Sequence, residues 1–597
     1  MIKPPKRHEL PEQFTWNLET VYPDDDLWEA DYQAVKQSIP RLESFRGTLG
    51  DSPDQLLACL GLRDETHKLM DRLLSYAKMR KDEDNTDSRY QGLADRAMIL
   101  AAQLSSTTAF MSPEILSIPE ERLRDFLVAR PQLAMYRHDL ERLLRLRAHV
   151  RSTEVEMVLA QATEVARTPQ NTFGMLNNAD MKFPSVIDEQ GQAVELTQSR
   201  YNQLRESQDR RVRREAFEAL HRTYHSFRNT LAASLAGSVR GDIFYARSRG
   251  YPTALEATLD PSNIPTKVYY NLIATVEAHL PLLHRYMALR RRLLGVDELH
   301  HYDLYVPMVP DVKLHVPYEE ATRTVLEALS PLGEEYCSAL ENGLASRWID
   351  VYENEGKTSG AYSDGSYTTS PFILLNYQDT LTDLFTLAHE LGHSMHSYFT
   401  RATQPYVYGD YTIFLAEVAS TLNEALLTDH MLKKTTDPRV RSFLINQHLE
   451  RFRTTLYRQT MFAQFELDIH TRAEEGEALT PDLLSSLYAD LNARYYGPEV
   501  VPDPEIAIEW ARIPHFYSAF YVYQYATGIS AAASLAHQIL TEGEPAVQRY
   551  IRFLKSGSSN YSIELLREAG VDMTSPEPIE RALATFGGLL DEMEKLA

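Results

Sequence analysis

Phe385-Thr386-Leu387-Ala388-His389-Glu390-Leu391-Gly392-His393-Ser394-Met395-His396 contains the pattern His-Glu-x-x-His. On a helix, His389 and His393 lie four residues apart, so they project from one face and can close on one metal ion. Imidazole nitrogen suits zinc. Glu390 sits beside the first ligand and can reach a water held on the same ion. Zinc lowers the pKa of such a water to roughly 7, and a neighbouring carboxylate can then take the proton. The plainer reading is a helix with two satisfied histidines. Leu387, Ala388, Leu391 and Met395 weigh against it, because an apolar, buried helix rarely carries His, Glu and His unless something pairs them.

Two histidines leave a tetrahedral zinc two positions short, one for protein and one for water. A metzincin pattern needs Gly and His seven and ten residues after His389; those positions hold His396 and Phe399. The alternative is a Glu on a later helix. Leu415-Ala416-Glu417-Val418-Ala419-Ser420-Thr421-Leu422-Asn423-Glu424-Ala425-Leu426-Leu427 supplies one. Glu417 and Glu424 are seven apart and share a face whose surroundings are apolar or small. Buried carboxylates need partners: zinc for Glu417 and a histidine N–H for Glu424 would provide them. Two half-exposed glutamates on an amphipathic helix is the competing reading, and His396 is a rival ligand off the i, i+4 face.

The 597 residues allow a large core and several subdomains, and a composition of 43% hydrophobic and 24% charged residues is that of an ordinary soluble protein. A formal charge of −23 speaks against nucleic acid or an anionic membrane as a partner. Cys59 and Cys337 cannot build a disulfide framework or a thiolate metal site. The basic start, Met1-Ile2-Lys3-Pro4-Pro5-Lys6-Arg7-His8, has no apolar run behind it, and no stretch of about 18 apolar residues occurs. The expected location is cytoplasmic.

Outward from the motif, the periodicity predicts a mainly α fold. Residues 1 to about 15 read as a Pro-rich arm on the surface, and Asp25 to about Val150 as helices broken near Met111-Ser112-Pro113 and Pro131. Met181 to Ile187 and Ala193 to Leu196 flank Asp188-Glu189-Gln190-Gly191 as a β-hairpin, with Thr197 capping the next helix. One helical run is expected from about Gln198 to Arg249, with Arg210, Arg211, Arg213 and Arg214 on a solvated face. Pro265 is expected in the first turn of a helix that covers 266–295. The loop after it holds His300-His301 and Pro307, Pro310 and Pro317; a lone histidine doublet there is not read as a metal site. Just upstream of the metal helix, Ser346 to Asp379 carries strand-length apolar runs punctuated by Gly356, Gly360 and Gly365. A strand there can offer an edge to an extended peptide.

His389-Glu390-Leu391-Gly392-His393 with Glu417-Val418-Ala419-Ser420 resembles the M3 metallopeptidases. So do Gly356-Lys357-Thr358-Ser359-Gly360-Ala361-Tyr362, Leu374-Leu375-Asn376-Tyr377 and Arg512-Ile513-Pro514-His515-Phe516-Tyr517. The likeness is to the oligoendopeptidase F branch and covers nearly the whole chain, Trp16-Asn17-Leu18-Glu19 and Ala254-Leu255-Glu256-Ala257 included. The resemblance implies a multi-helix ellipsoid with a deep substrate channel, a gluzincin-type catalytic core and a small β-sheet next to the metal helix. It implies an N-terminal helical region over 1–110, an oligoendopeptidase F-type segment with the hairpin over 111–200, and a catalytic domain over 201–597. It implies one Zn2+ per chain on His389, His393 and Glu417, with Glu390 as base.

A His and Tyr pair near the scissile carbonyl, carried over from the same resemblance, falls on His515 and Tyr521. Tyr517, Tyr521 and Tyr525 are expected to share a helical face, so Tyr517 and Tyr525 join Gly360 and Ala361 as candidate substrate contacts. The expected reaction is hydrolysis of internal bonds in short unfolded oligopeptides: Glu390 activates zinc-bound water, a tyrosine or His515 stabilises the oxyanion, and the protein works as a monomer or homo-oligomer. The alternatives are a zinc carboxypeptidase, which needs a cation for the terminal carboxylate, and a peptide-binding protein with a structural zinc.

Overall fold

The computed structural model describes residues 3–309, 312 and 314–596; Met1, Ile2 and Pro310, named above, lie outside them. The fold is mainly helical, with a two-stranded and a three-stranded sheet. Contacts divide the chain into two compact units. The first comprises 1–148, 313–430 and 535–571, and the second 149–312, 431–534 and 572–597. Among the described residues no helix is long and apolar enough to cross a membrane.

In the first unit, the helices Asp25–Glu43, Pro53–Glu83 and Ser88–Thr108 pack together. Their shared core includes Trp28, Leu56, Leu73 and Tyr76, with Trp16 and Leu18 from the preceding arm and Phe372 and Leu374 from the sheet. That sheet has Phe372–Leu374 at its centre, parallel to Ile349–Asp350 and antiparallel to Tyr362–Asp364. The central strand is wholly buried, which is why it reads as an unbroken apolar run. Tyr362–Asp364 is left as an edge strand.

The arm is held more firmly than a surface arm. Arg7 Nη1 donates to Asp350 Oδ1 at 2.8 Å and Arg7 Nη2 to Glu83 Oε1 at 2.9 Å. Lys357 Nζ reaches the same oxygen, Asp350 Oδ1, at 2.7 Å. Asp350 and Lys357 are both buried, so the arm's guanidinium completes an internal charge cluster beneath the sheet.

In the second unit, Ser185–Ile187 and Ala193–Glu195 form the expected hairpin with Val186 opposite Val194, and the Thr197 hydroxyl caps the helix that follows. The long helical run is instead three helices, Gln198–Leu204, Arg210–Ser226 and Arg228–Arg249. Asp209 caps the second by accepting from the Arg211 N–H at 2.9 Å, a stop-and-restart signal that the absence of proline concealed. The expected helix over 266–295 is likewise two, Thr266–Ala278 and Leu280–Leu294, and Pro265 stands one position before the first. The arginine strip is not all solvated. Arg213 is buried and pairs with the buried Asp303 at 2.7 Å, which Arg210 also grips at 2.8 Å. His300 and His301 both meet one carboxylate, that of Asp503, at 2.7 and 3.3 Å.

Candidate metal centre

The helix Leu381–Thr403, called here the histidine helix, starts at a reciprocal cap. Thr380 Oγ1 accepts the Asp383 N–H at 3.2 Å and the Asp383 carboxylate accepts the Thr380 N–H at 3.0 Å. The helix ends before Gln404-Pro405, as a residue preceding proline favours. It runs beside the glutamate helix, Ile413–Lys434. A Cβ on Gly392 would lie 2.5 Å from Ser420 Cα and 2.7 Å from the Ala419 carbonyl oxygen. The two backbones therefore touch at Gly392. Asn423 fixes the register by donating to the Ala388 carbonyl at 3.1 Å, and it accepts from the Tyr336 hydroxyl at 3.1 Å.

This crossing brings three donor atoms together. His389 Nε2 and His393 Nε2 are 3.2 Å apart, and Glu417 Oε2 lies 3.4 Å from the first and 3.6 Å from the second. Among the described residues these three form the group of side chains able to hold a metal ion. The remaining ring nitrogens face outward from it. His389 Nδ1 lies 2.6 Å from Glu424 Oε1, so the carboxylate keeps the proton on Nδ1 and the lone pair on Nε2. His393 has a backbone hydrogen bond with Ala416. Two imidazole lone pairs and a carboxylate oxygen at these spacings repel one another unless a cation sits among them. Bonds of about 2.0–2.1 Å to a tetrahedral zinc would set its donors about 3.3–3.4 Å apart. The residues present fit that ion.

Glu390 borders this trio, within electrostatic reach of His389 and Glu417. It is 7% exposed, and burial pushes its carboxyl up to about 7; His389 pulls the other way and the Glu417 charge adds to the rise. The Ser363 backbone hydrogen-bonds it, and the Ser363 and Ser394 hydroxyls meet at 2.8 Å. The edge strand Tyr362–Asp364 thus lies against the face of the histidine helix that carries Glu390. Ahead of that strand, Gly360 takes φ +87°, and its carbonyl shares Asn376 Nδ2 with that of Thr358 at 2.9 and 3.0 Å. Gly360 and Ala361 are therefore a pinned approach to the edge. His396 stacks on Tyr411 with ring centroids 3.7 Å apart. Burial takes its pKa down to about 3, so it packs as a neutral ring outside the donor trio.

His515, Tyr517, Tyr521 and Tyr525 belong to the second unit. The tyrosines do not share a helical face. Tyr517 ends the short turn Pro514–Tyr517 and stacks on Phe173 at 4.6 Å, whereas Tyr525 lies in the helix Tyr523–Glu542 and Tyr521 in the link between. His515, Tyr521 and Tyr525 do cluster, with ring centroids 6.1 Å from His515 to Tyr521, 6.0 Å to Tyr525 and 5.5 Å between the tyrosines. Burial holds His515 below the ordinary histidine pKa.

Residues 203–585 match the model of peptidase family M3. The chain belongs to that family. A second match, described as oligopeptidase F, covers residues 114–183. Oligopeptidase PepF of Bacillus subtilis is 52% identical over 592 residues, 99% of this chain and 88% of that one. Group B oligopeptidase PepB of Streptococcus agalactiae is 43% identical over 590 residues, with 99% and 98% covered. The crystal structure of oligoendopeptidase-F from Enterococcus faecium aligns with a TM-score of 0.75 at 40% identity, covering 96% of this chain and 99% of that one. The protein is an M3 metalloendopeptidase, a family whose members are zinc enzymes.

Gly392 and Asn423, which set the crossing of the two helices, escaped the reading of the motif. A glycine inside a helix costs about 1 kcal/mol against alanine, so its presence was itself the signal of a close approach. Asn423 had no comparable mark.

Proposed function

We propose that this protein is a zinc-dependent endopeptidase that cuts internal bonds of short, unfolded oligopeptides, with its chemistry carried by residues 201–597. The observation that carries the reading is the convergence of His389 Nε2, His393 Nε2 and Glu417 Oε2 within 3.2–3.6 Å of one another. Zinc held there supplies Lewis acidity, making water easier to deprotonate and a carbonyl easier to attack. Glu390, buried and raised towards neutral pH, takes the proton of the attacking water and hands it to the leaving amine. Glu424 keeps His389 in the tautomer that turns its lone pair inward. The substrate lies extended along the edge strand Tyr362–Asp364, reached past Gly360 and Ala361, and pairs with its unshared backbone groups. A hydroxyl from the Tyr521 and Tyr525 pair, or His515, donates to the oxyanion; Tyr521 is the donor we assign.

Mass spectrometry of a peptide library blocked at both ends tests this. Internal cuts that stop when a chelator is added and return with zinc are expected. Products shortened only from free carboxyl termini would replace the reading with a carboxypeptidase.

A further inference from the structure

The link that carries Tyr521 holds a strained residue. Phe520, immediately before it, has φ +51°, a left-handed conformation that side chains other than glycine rarely adopt. It is one of four such non-glycine residues among those described. Its ring is buried against Tyr269 at 5.6 Å and His470 at 4.5 Å. Its N–H donates to Glu466 Oε1 at 2.6 Å. Glu466 is wholly buried on the helix Arg458–Glu474, and its other oxygen, Oε2, has no hydrogen-bond partner among the described residues. Among the described residues no cation pairs with it. Asp242 adds to the repulsion, and the His470 ring turns its two nitrogens to the Glu466 carbonyl at 2.8 Å and Asp242 Oδ2 at 3.3 Å. A lone carboxyl in such a place is costly, and burial pushes its pKa well above the ordinary value. One of its oxygens is thus spent on a backbone N–H whose residue is strained.

We infer that Glu466 is a positioning residue for the peptidase reaction: its hydrogen bond locks Phe520 in the left-handed conformation and so aims the Tyr521 hydroxyl. The inference rests on the proposed role of Tyr521. Left-handed geometry at Phe520 turns the chain between the Pro514–Tyr517 turn and the helix Tyr523–Glu542, and Tyr521 is the residue after the turn-setting torsion. An extended or right-handed Phe520 would send the Tyr521 side chain elsewhere and separate its ring from His515, now 6.1 Å away and parallel to within 3°. The acid need not ionise for this. It needs only an acceptor oxygen at that point, which an amide also supplies.

The test is a double-mutant cycle on the zinc-loaded enzyme, reading kcat and KM separately with a doubly blocked peptide. Glu466→Leu is expected to lower kcat roughly ten- to a hundredfold with little change in KM or bound zinc. Glu466→Gln is expected to restore most of it. In a Tyr521→Phe background the same Glu466→Leu change is expected to cost no more than about twofold, because the hydroxyl it aims is already gone. Should Glu466→Leu fail to fold, Phe520→Ile replaces it, since a β-branched residue resists positive φ and the same cycle applies. Equal losses in both backgrounds, or a normal kcat in Glu466→Leu, would overturn the inference. Full activity of Tyr521→Phe alone would remove the Tyr521 assignment and this inference with it; a large loss in Tyr521→Phe beside a normal Glu466→Leu would sink only the inference.

Discussion

At the residue scale the enzyme turns on what each carboxylate faces. Glu390→Gln keeps the shape and polarity of the side chain but, lacking the carboxylate, cannot accept a proton. It is expected to bind zinc normally and lose about 10²–10⁴-fold in kcat, checked by metal analysis beside a peptide assay. Glu424→Ala removes the acceptor on His389 Nδ1. Zinc affinity should fall about 10–100-fold in a competitive chelator titration, while kcat at saturating zinc falls less. The two glutamates flank the same histidine and their variants should separate in opposite senses, one in chemistry and one in metal retention. Both positions were readable from spacing alone, because i, i+4 histidines and two glutamates seven apart each fix a helix face. The tyrosines were not. Tyr517, Tyr521 and Tyr525 have helical spacing, and the positive φ at Phe520 breaks the helix that the spacing presupposes.

At the scale of elements, the contact between the histidine and glutamate helices sets the donor distances. Gly392→Ala forces a methyl into Ser420 and the Ala419 carbonyl. The helices must part there, three residues from Glu417 and one from His393. The expected outcome is loss of most bound zinc with the helical circular-dichroism spectrum retained; a variant that keeps zinc would show that the crossing can relax. Periodicity located these two helices because their ends carry local chemistry, such as the Thr380 and Asp383 cap. It failed at Gln198–Arg249, where Asp209 ends one helix and opens another without proline. It also misjudged Arg213, because a charge run looks solvated until a distant Asp303 folds under it.

At the scale of the whole molecule, the charge cluster beneath the sheet links the first residues described to the substrate edge. Burial alone would raise the Asp350 carboxyl, but Arg7 and Lys357 outweigh it and hold the carboxyl below the usual range. The folded-state pKa is depressed, so this stabilisation is complete above the unfolded value of about 3.9 and is lost as pH falls through the lower, folded one. Arg7→Met takes away one of the two cations. It should destabilise the protein by about 3 kcal/mol at pH 7 and move the acid-unfolding midpoint to higher pH, as read by denaturant melts across pH 3–7. Zinc acts at the same scale. At about a hundred times its Kd it should add about 2.7 kcal/mol, visible as a lower melting temperature in chelator. The network itself was illegible beforehand: Arg7, Glu83, Asp350 and Lys357 are far apart in sequence, and nothing local marks them as neighbours.

The Arg7 guanidinium also makes the enzyme vulnerable at a point remote from its metal. Asp350 sits on the strand that pairs with Phe372–Leu374, and that strand in turn carries the Tyr362–Asp364 edge beside Glu390. A protease that trims the front of the chain past this arginine would remove a keystone of that sheet, so limited digestion there should silence peptide cleavage while every zinc ligand stays in place.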